Sequence, residues 1–468
     1  MATATVVAPE AAMDTPELEE EAGIFPDWVM LDRIGRTYCH NGRGAALKAV
    51  NGNKTAVQVN MDSGHSFYVS FTLAPPPQLG ASYFDLHWPK RRGAASMAPA
   101  YPYVRAIDKD LVFFHVSIPS KPQPSIVPPD LFVYTAAGPS PSVQQLPLYT
   151  RYRRRRFLMS NFTSGILRRQ DNSYIVSDLI LFPEKEVTGS YCMRAELCVF
   201  NSKSGVWVPF MKDAPQPHNG QFPTHWSTDH VLAFDGRFLC WVDYFSGVLL
   251  SDFSNMPSSP VLHFVPFPGE EVYAAEVRAE RCFAKRFRSV SISQGKMRFV
   301  HIDNDLHTGC PQGKMRFVHI DNDLHTGCQG QHPPKKITIW TLNTMDGNSG
   351  FNWEPHRAID LDRLWVNPGI PRRLPEYPII SAFGPDVLHC LLRKEDFHGE
   401  AFMIMVDMNH ASLLLYTPYV NQRSVDVKDH KSEFPNTPLL PTVFPKYLER
   451  PSVKLPWYVP SCIQYYVA

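Results

Sequence analysis

The stretch THWSTDHVLAFDGRFLCWVDYFSGVLLSD, residues 224–252, decides the predicted fold. It contains three short apolar runs, at residues 231–234, 238–242 and 248–250. Asp235-Gly236 and Ser246-Gly247 separate these runs. Such pairs supply the positive φ angles that tight hairpins need. The stretch therefore predicts a small antiparallel meander of β-strands.

The same theme, a short apolar strand followed by a turn, recurs along the chain. It occurs at residues 131–134, 196–208, 337–342 and 402–406, which gives intervals of roughly 50 to 90 residues. The form ELCVFNSKSGVWV at residues 196–208 is typical of the third strand, turn and fourth strand of a kelch-like propeller blade. Together with the meander and an opening unit from Trp28 to Trp88, these segments make six units.

We therefore predict an all-β protein that forms an irregular β-propeller of about six blades. Tandem β-sandwich domains are the alternative, because they also contain short strands at similar spacing. Closure of the ring is expected to require one blade that combines strands from both chain ends. Residues 28–31 are a candidate for one of these strands.

Composition divides the chain into three parts. Residues 1–23 carry six acidic residues and no basic one, with little to bury, so we predict a disordered N-terminus. Residues 24–424 are predicted to form the propeller. Residues 425–468 are rich in proline, and we predict a C-terminal tail without regular structure.

A set of residues within the meander forms a recognisable pattern. Its members are Trp226, Asp229, Phe234, Gly236, Cys240, Trp241, Val242, Asp243, Gly247, Leu249 and Asp252. The pattern resembles the signature of a plant family, found largely in grasses, that is known only as domain of unknown function 1618. The resemblance covers residues 27–419 in outline and is most specific over residues 224–365. As the family name indicates, the resemblance implies no activity.

We interpret the most specific of these residues as structural: Trp226, Asp229, Gly236, Trp241, Asp243, Gly247 and Asp252. Asp243 and Asp252 are candidates for paired carboxylates in acid–base work. Hydrogen bonds to backbone groups at strand ends are the interpretation that we favour for both. The two tryptophans are expected in the blade core rather than in a substrate platform.

The sequence QGKMRFVHIDNDLHTGC occurs twice, at residues 294–310 and 312–328. Identity over this length indicates a recent tandem duplication or an error in the gene model, since structural repeats diverge. A blade needs only one copy of the strand, so the other copy is expected to form a loop excursion or an extra edge strand. The first copy places His301, Asp303, Asp305, His307 and Cys310 close together in sequence, and the second copy repeats them. Their spacing matches no zinc motif, so we predict a turn and no metal.

A dense basic run, RYRRRR at residues 151–156, contains Arg151, Arg153, Arg154, Arg155 and Arg156. It is either a docking patch or nuclear-localisation signal, or a solvated loop between the second and third blades. The formal net charge of +1 gives no field that attracts nucleic acid or a membrane surface, so neither is an expected partner. The 9 Cys form no CxxC pair, and no apolar stretch is long enough to span a membrane. We therefore predict an intracellular protein, cytoplasmic or nuclear.

Two classes of function fit these observations. The sequence holds no GxSxG, Walker A, GxGxxG or HExxH motif. We therefore favour a noncatalytic scaffold that binds a protein or peptide through loops at one propeller face, with no cofactor. The alternative is a hydrolase or lyase with its site in the central channel. Convergent polar side chains with perturbed pKa at the channel mouth would favour the enzyme.

We predict that one copy of the duplicated sequence is dispensable for folding. Cleavage between Pro311 and Gly313 should leave the fold intact, because the entropy of loop closure depends only weakly on loop length. Limited proteolysis followed by thermal unfolding measures this. Unfolding of the protein after excision of one copy would contradict the prediction.

Overall fold

The computed structural model describes most of the chain between residues 25 and 448. The ranges described are 25–76, 81–90, 102–116, 130–149, 162–185, 189, 191–215, 222–223, 226–256, 258–268, 281–303, 335–344, 350–365, 370–393, 401–419 and 439–448. Within them, no helix is long and apolar enough to cross a membrane.

The chain is built almost entirely of short strands. In order they are β1 (Val29–Leu31), β2 (Arg36–His40), β3 (Val57–Asn60), β4 (Ser66–Thr72), β5 (Tyr83–Pro89), β6 (Tyr103–Asp108), β7 (Leu111–Val116), β8 (Asp130–Thr135), β9 (Ser142–Gln145), β10 (Ser164–Arg168), β11 (Tyr174–Lys185), β12 (Tyr191–Asn201), β13 (Val206–Asp213), β14 (His230–Phe234), β15 (Phe238–Asp243), β16 (Gly247–Asp252), β17 (Val261–Pro266), β18 (Arg288–Ser293), β19 (Lys296–Ile302), β20 (Lys336–Thr344), β21 (Phe351–Asp360), β22 (Glu376–Ile380), β23 (Val387–Arg393), β24 (Ala401–Asp407), β25 (Ser412–Tyr419) and β26 (Leu440–Thr442). Helix α1 (Arg43–Val50) follows β2, and helix α2 (Arg281–Phe287) precedes β18. Single 3-10 turns lie at Leu361–Leu364 and Phe444–Tyr447.

Six four-stranded sheets form the six blades of a β-propeller, which confirms the predicted fold. Blade 1 has the strand order β2-β5-β4-β3, and β2 runs parallel to β5. Blades 2 to 6 are consecutive antiparallel meanders that begin at β6, β10, β14, β18 and β22. These first strands lie nearest the axis, where β6, β10 and β14 contact one another and β18 contacts β22.

The predicted meander is blade 4. Asp235 and Gly236, with φ of 53° and 62°, connect β14 to β15 in the tight turn that the sequence indicated. Gly247 begins β16 with φ of 153°. A Cβ atom at Gly247 would lie 2.3 Å from the carbonyl oxygen of Val265, so the close approach of β17 requires glycine there.

Apolar side chains on both faces of each blade pack against the neighbouring blades. Trp241, which has no exposed surface, belongs to a cluster that joins Leu167 and Ile175 of blade 3 to Leu249 of blade 4. Because both faces of a blade are covered, β15 is buried along its whole length. This double burial explains why the inner strands read as continuous apolar runs in the sequence.

The chain ends meet outside the six blades, which differs from the predicted closure. β1 pairs with β26 in a separate antiparallel two-stranded sheet, in the register Val29 to Thr442 and Leu31 to Leu440. Residues 36–89 already supply four strands to blade 1, so the C-terminal strand has no place in that sheet. Proline does not prevent this strand, because Pro441 lies in a two-stranded sheet whose outer edge needs no further N–H donor.

The structure describes the first copy of the duplicated sequence as far as residue 303. The first copy provides β19, which pairs with β18 and β20 in blade 5. The second copy, residues 312–328, lies outside the described residues, so its predicted excursion stays a prediction.

We predict that Phe444 holds the C-terminal segment against blades 1 and 2. Its ring is fully buried and lies 4.7 Å from that of Phe71, centroid to centroid. Phe444→Ala should lower the free energy of unfolding by about 3 to 5 kcal/mol, because it leaves a cavity in the core. Phe383→Ala is the matched control, since Phe383 is 48% exposed and its loss should cost little. Equal effects of the two changes in urea unfolding would contradict the prediction.

Candidate functional site

The inner strands of the blades begin at the same end of the ring, which we call the entry end. The ring of Tyr103, at the start of β6, meets the ring of Phe162, just before β10, at 6.1 Å between centroids. Lys285, just before β18, lies 3.2 Å from Asp229, just before β14. Arg286 makes an ion pair with Glu376, the first residue of β22. The starts of five inner strands are thereby linked by side-chain contacts at one end of the axis.

Arg33 crosses the axis at the entry end. It lies in the segment between β1 and β2, and only 1% of the residue is exposed. Its Nη1 donates to the carbonyl oxygen of Arg105 at 2.9 Å, and its Nη2 donates to Nδ1 of His230. Arg105 belongs to blade 2 and His230 to blade 4. One guanidinium therefore joins two blades that are not neighbours in the ring.

Arg105 extends this network to blade 3. Its Nε donates to Nδ1 of His115 at 3.0 Å, and its Nη1 donates to the hydroxyl of Ser164 at 2.7 Å. The hydroxyl of Thr163 donates to Oδ1 of Asp178 at 2.6 Å. Arg105, His115, Ser164 and Asp178 are at most 7% exposed, whereas Thr163 and His230 are partly exposed, so charges in the inner part of the network interact strongly.

Burial and the two guanidinium groups keep the histidines of this network neutral. Burial lowers the pKa of His115 to about 3, and the neighbouring Arg105 lowers it as well. Burial also lowers the pKa of His230 well below its ordinary value, and Arg33 and Lys285 act in the same direction. A neutral imidazole can accept a hydrogen bond at Nδ1, whereas an imidazolium cannot. Both histidines are therefore acceptors for arginine.

Buried carboxylates in the same region have raised pKa values. Burial raises the pKa of Asp178 to about 6, against the opposing effects of the Thr163 hydrogen bond and the Arg105 charge. Burial likewise raises the pKa of Asp229 to about 6, against the charge of Lys285. Nearby Asp243 contributes to the upward shift of the Asp229 pKa. Asp229 is thus a perturbed group at the entry end, the feature expected above to favour an enzyme, whereas Asp178 is fully buried in the interior.

Asp229 and Lys285 form the part of the cluster nearest to solvent. Asp229 accepts the backbone N–H of Tyr244 at 3.0 Å through Oδ2, and the ammonium of Lys285 lies 3.2 Å from its Oδ1. The Lys285 side chain is 23% exposed, and its Nζ lies 4.7 Å from the centroid of the Phe162 ring. A lysine held between a buried carboxylate and an aromatic ring can contact a ligand that approaches the entry end.

Several signature residues of blade 4 hold the backbone around this site through hydrogen bonds. Trp241 donates its indole N–H to the carbonyl oxygen of Thr163 at 2.7 Å, which fixes the residue that holds Asp178. Asp243, fully buried, accepts the backbone N–H groups of Ser227 and Phe245, both at 2.9 Å. Of the signature residues, Asp229 is the one that contacts Lys285.

The remaining signature residues lie in turns and blade contacts. Asp252 accepts a hydrogen bond from the backbone N–H of Ser254 at 2.8 Å. It also forms an ion pair with Arg237. Trp226 donates to the hydroxyl of Thr228 at 2.9 Å and packs against neighbouring aromatic rings. Gly236 and Gly247 occupy the turn and the close strand approach given above.

Two other predicted groups stand apart from this cluster. Arg151, Arg153, Arg154, Arg155 and Arg156 lie outside the described residues. His301 accepts from Arg288 Nε at 3.1 Å through Nδ1, and its Nε2 lies 3.5 Å from Asp303. The other candidate ligands of both copies lie beyond the described ranges. Within those ranges, no three His, Cys, Asp or Glu residues are grouped in a way that could hold a metal ion.

A shallow groove lies between blades 5 and 6, away from the entry-end cluster. Its volume is about 770 Å³, and its lining includes Arg363, Ile370, His410 and residues 411–416. It contains none of the signature residues. We therefore regard the entry-end cluster as the better candidate site.

No sequence motif marks the central residues of the cluster. Arg33, Arg105, His115, His230 and Lys285 belong to no recognisable pattern. A weaker signal was present in two strands, since Arg105 interrupts the apolar run YVRAID and His115 the run LVFFHV. A charged or imidazole side chain within a buried strand needs a partner, although the sequence does not say which one.

Comparison with known proteins gives one family and a set of distant structures. The sequence profile of the family described as "Protein of unknown function (DUF1618)" matches residues 241–389. No curated protein matches the chain significantly.

Three solved structures illustrate the structural similarity. A candidate 6-phosphogluconolactonase of Bacteroides uniformis has 12% identity and a TM-score of 0.34, with 81% of this chain and 87% of that chain covered. The WD40 domain of SCAP from fission yeast has 10% identity and a TM-score of 0.29, with 78% and 73% covered. A xylan beta-1,4-xylosidase from Bacillus halodurans has 9% identity and a TM-score of 0.26, with 86% and 85% covered.

We predict that neutral His115 makes stability depend on pH. The unfolded chain binds a proton at this histidine below about pH 6.5. The folded protein binds it only near pH 3. The wild-type protein should therefore lose about 1.4 kcal/mol of unfolding free energy per pH unit from this group between pH 6 and 4. The raised pKa values of Asp178 and Asp229 act in the opposite sense, because the folded state binds their protons first.

The variant His115→Gln isolates this contribution, since glutamine can still accept from Arg105 and does not titrate. The cost of the substitution, measured by urea unfolding, should shrink as the pH falls from 7 to 4. The fully buried Val112→Ala on the same strand is the control, and its cost should not change with pH. A cost of His115→Gln that is constant over this range would refute the prediction.

Proposed function

We propose that the chain is a noncatalytic interaction protein of the DUF1618 family, which binds a protein or peptide partner at the entry end of the propeller. The observation that carries the proposal is the position of Arg33. Its guanidinium lies across the axis between Arg105 and His230 and is almost completely buried. The Nη1 and Nη2 atoms of this guanidinium already have acceptors, and a ligand deep in the channel would have to displace them, so binding is favoured on the face.

The hydrogen bonds within the network favour a structural role for its interior. Arg105, His115, Ser164 and Asp178 lie within one chain of hydrogen bonds and charge contacts. Groups arranged in this way order the centre of the ring and fix the starts of its inner strands. A rigid frame with loops at one face is suited to recognition.

A second candidate is a hydrolase or lyase with its site at the same mouth. It is favoured by Asp229, whose pKa of about 6 is near that of an effective general acid or base. Against it, Asp229 is only 5% exposed and both of its oxygens have partners. If this candidate is right, the purified protein should turn over chromogenic ester or glycoside substrates, and Asp229→Asn should abolish that activity.

We also propose a cytoplasmic or nuclear location and an origin in grasses. Cysteines 39, 192, 198, 240 and 390 are free thiols, as is usual in a reducing compartment. The signature of blade 4 supports the grass origin. The basic run at residues 151–156 is proposed as a docking or import patch, with nucleic acid not a partner because the net charge is close to zero.

The two ends of β19 offer a matched test of where a partner binds. Asp303 follows the end of this strand at the entry end, and Lys296 begins it at the opposite end. A photo-crosslinking amino acid, p-benzoylphenylalanine, replaces Asp303 in one variant and Lys296 in the other. In cells that make the protein, we expect a discrete crosslinked species from position 303 and none from position 296.

Mass spectrometry of the crosslinked species identifies the partner, and binding of the purified partner to the wild-type protein confirms it. Crosslinks of equal yield from both positions, or from position 296 alone, would refute binding at the entry end. Absence of any crosslinked protein, together with turnover in the substrate assay, would favour the enzyme.

A further inference from the structure

Two hydrogen-bond donors at the entry end are buried and have no partner among the described residues. They are Nε of Arg33 and the hydroxyl of Tyr103. Arg33 is 1% exposed and Tyr103 9% exposed. A buried donor without an acceptor costs about 1 to 3 kcal/mol, so native proteins rarely leave one unmatched. Buried polar atoms without a partner also occur elsewhere in the described ranges, but these two belong to side chains that lie against each other at the entry end.

The surroundings of these donors contain aromatic rings, two guanidinium groups and the carboxylate of Asp32. Tyr103 stacks on His115 and meets Phe162 edge-on, at 5.6 Å and 6.1 Å between centroids. Burial raises the pKa of the Tyr103 phenol, and the negative charge of Asp32 adds to this shift. The charges of Arg33 and Arg105 and the close approach of the Arg33 side chain to the phenol oppose it, so both guanidinium groups are within electrostatic reach of the hydroxyl. The Tyr103 hydroxyl is therefore a protonated donor at neutral pH.

Lys285 reaches the same region from α2. Its ammonium lies over Phe162, the ring that Tyr103 contacts, and its charge also acts on His230. One of its three N–H donors is directed to Asp229 at 3.2 Å, and the side chain remains 23% exposed. Lys285 thus has donor capacity at the solvent side of the two buried donors.

The nearby carboxylates do not fill this acceptor position. Oδ1 of Asp32 accepts the backbone N–H of Ile34 at 3.0 Å in its own turn. Asp229 accepts from Tyr244 and Lys285. Asp178 lies on the blade 3 side with Thr163. The donors Arg33 Nε and Tyr103 Oη are left without an acceptor although these carboxylates are close.

We propose that Arg33, Tyr103 and Lys285 form a binding site for a carboxylate at the entry end, and that the carboxylate belongs to the partner peptide. This inference rests on the proposed function and gives it a chemistry. A carboxylate offers several lone pairs, which suits a site that supplies N–H and O–H donors from three directions. The ring of Phe162 would contact the apolar part of the residue that bears the carboxylate.

The source of the carboxylate is either the C-terminus of the partner or an Asp or Glu side chain. Three peptides distinguish these sources: acetyl-Ala-Ala-Ala with a free C-terminus, its C-terminal amide, and acetyl-Ala-Glu-Ala amide. Sodium acetate and sodium chloride are the small-anion probes. Binding to the full-length protein is measured by saturation-transfer NMR and by isothermal titration calorimetry at millimolar ligand.

We expect the free acid or the glutamate peptide to bind, the neutral amide not to bind, and acetate to compete. Tyr103→Phe removes only the hydroxyl, and Lys285→Met removes only the charge. Each should weaken binding about tenfold or more, because a charge-assisted hydrogen bond is lost. Tyr134→Phe is the matched control. It removes a buried hydroxyl that donates to Thr55 in blade 1 and should leave binding unchanged.

Three outcomes would overturn the proposal. The first is that the wild-type protein binds none of the carboxylates, in which case a buried water is the acceptor. The second is that chloride binds to the wild-type protein and none of the carboxylates does. The third is that Tyr103→Phe and Lys285→Met bind the carboxylate peptides as tightly as the wild type does, with unchanged thermal midpoints.

The crosslinking experiment separates failure of this inference from failure of the proposed function. If the entry-end crosslink survives in Lys285→Met and Tyr103→Phe, the partner binds at that face without the carboxylate site. If the crosslink is absent from the wild type while carboxylate peptides still bind, the site holds and the interaction role fails.

Discussion

The hydrogen bonds of Arg33 are the constraint on which the centre of this propeller depends. A charged guanidinium with 1% exposure needs acceptors, and its Nη1 and Nη2 atoms find them in the backbone of blade 2 and the imidazole of blade 4. This requirement fixes how close β6 and β14 approach. It also determines a protonation state, because His230 can accept only while it is neutral.

The rest of the ring provides the rigid frame that this centre needs. Each blade is covered on both faces by its neighbours, and the apolar contacts between blades set their spacing. Blade 4 takes part both in the apolar contacts between blades and in the hydrogen-bond network on the axis. Trp241 is part of the apolar contact with blade 3, and its indole N–H also holds the carbonyl of Thr163 next to Asp178. Gly247 allows β17 to pack closely enough to complete the same blade.

Function follows from the contrast between the interior of the axis and its mouth. Inside, Arg105 donates to His115 and Ser164. At the mouth, Asp229 has a raised pKa, Lys285 is partly exposed, and two buried donors lack acceptors. The proposed role is that this surface holds a carboxylate of a partner. In this proposal, recognition and the stability of the ring use the same arginine.

The amino-acid sequence by itself determined the local structure. Asp235-Gly236 specifies a tight turn wherever it lies between two apolar strands, and alternation of strands and turns was enough to predict an all-β propeller of six blades. Tertiary structure alone decided how the ring closes and what lies on its axis. β1 and β26 are about 400 residues apart, and no local pattern pairs Leu31 with Leu440. Arg33 and His230 are separated by 197 positions, so their contact exists only after four blades have been placed around the axis. Hairpins depend on neighbouring residues, whereas the site depends on partners that only the folded ring brings together.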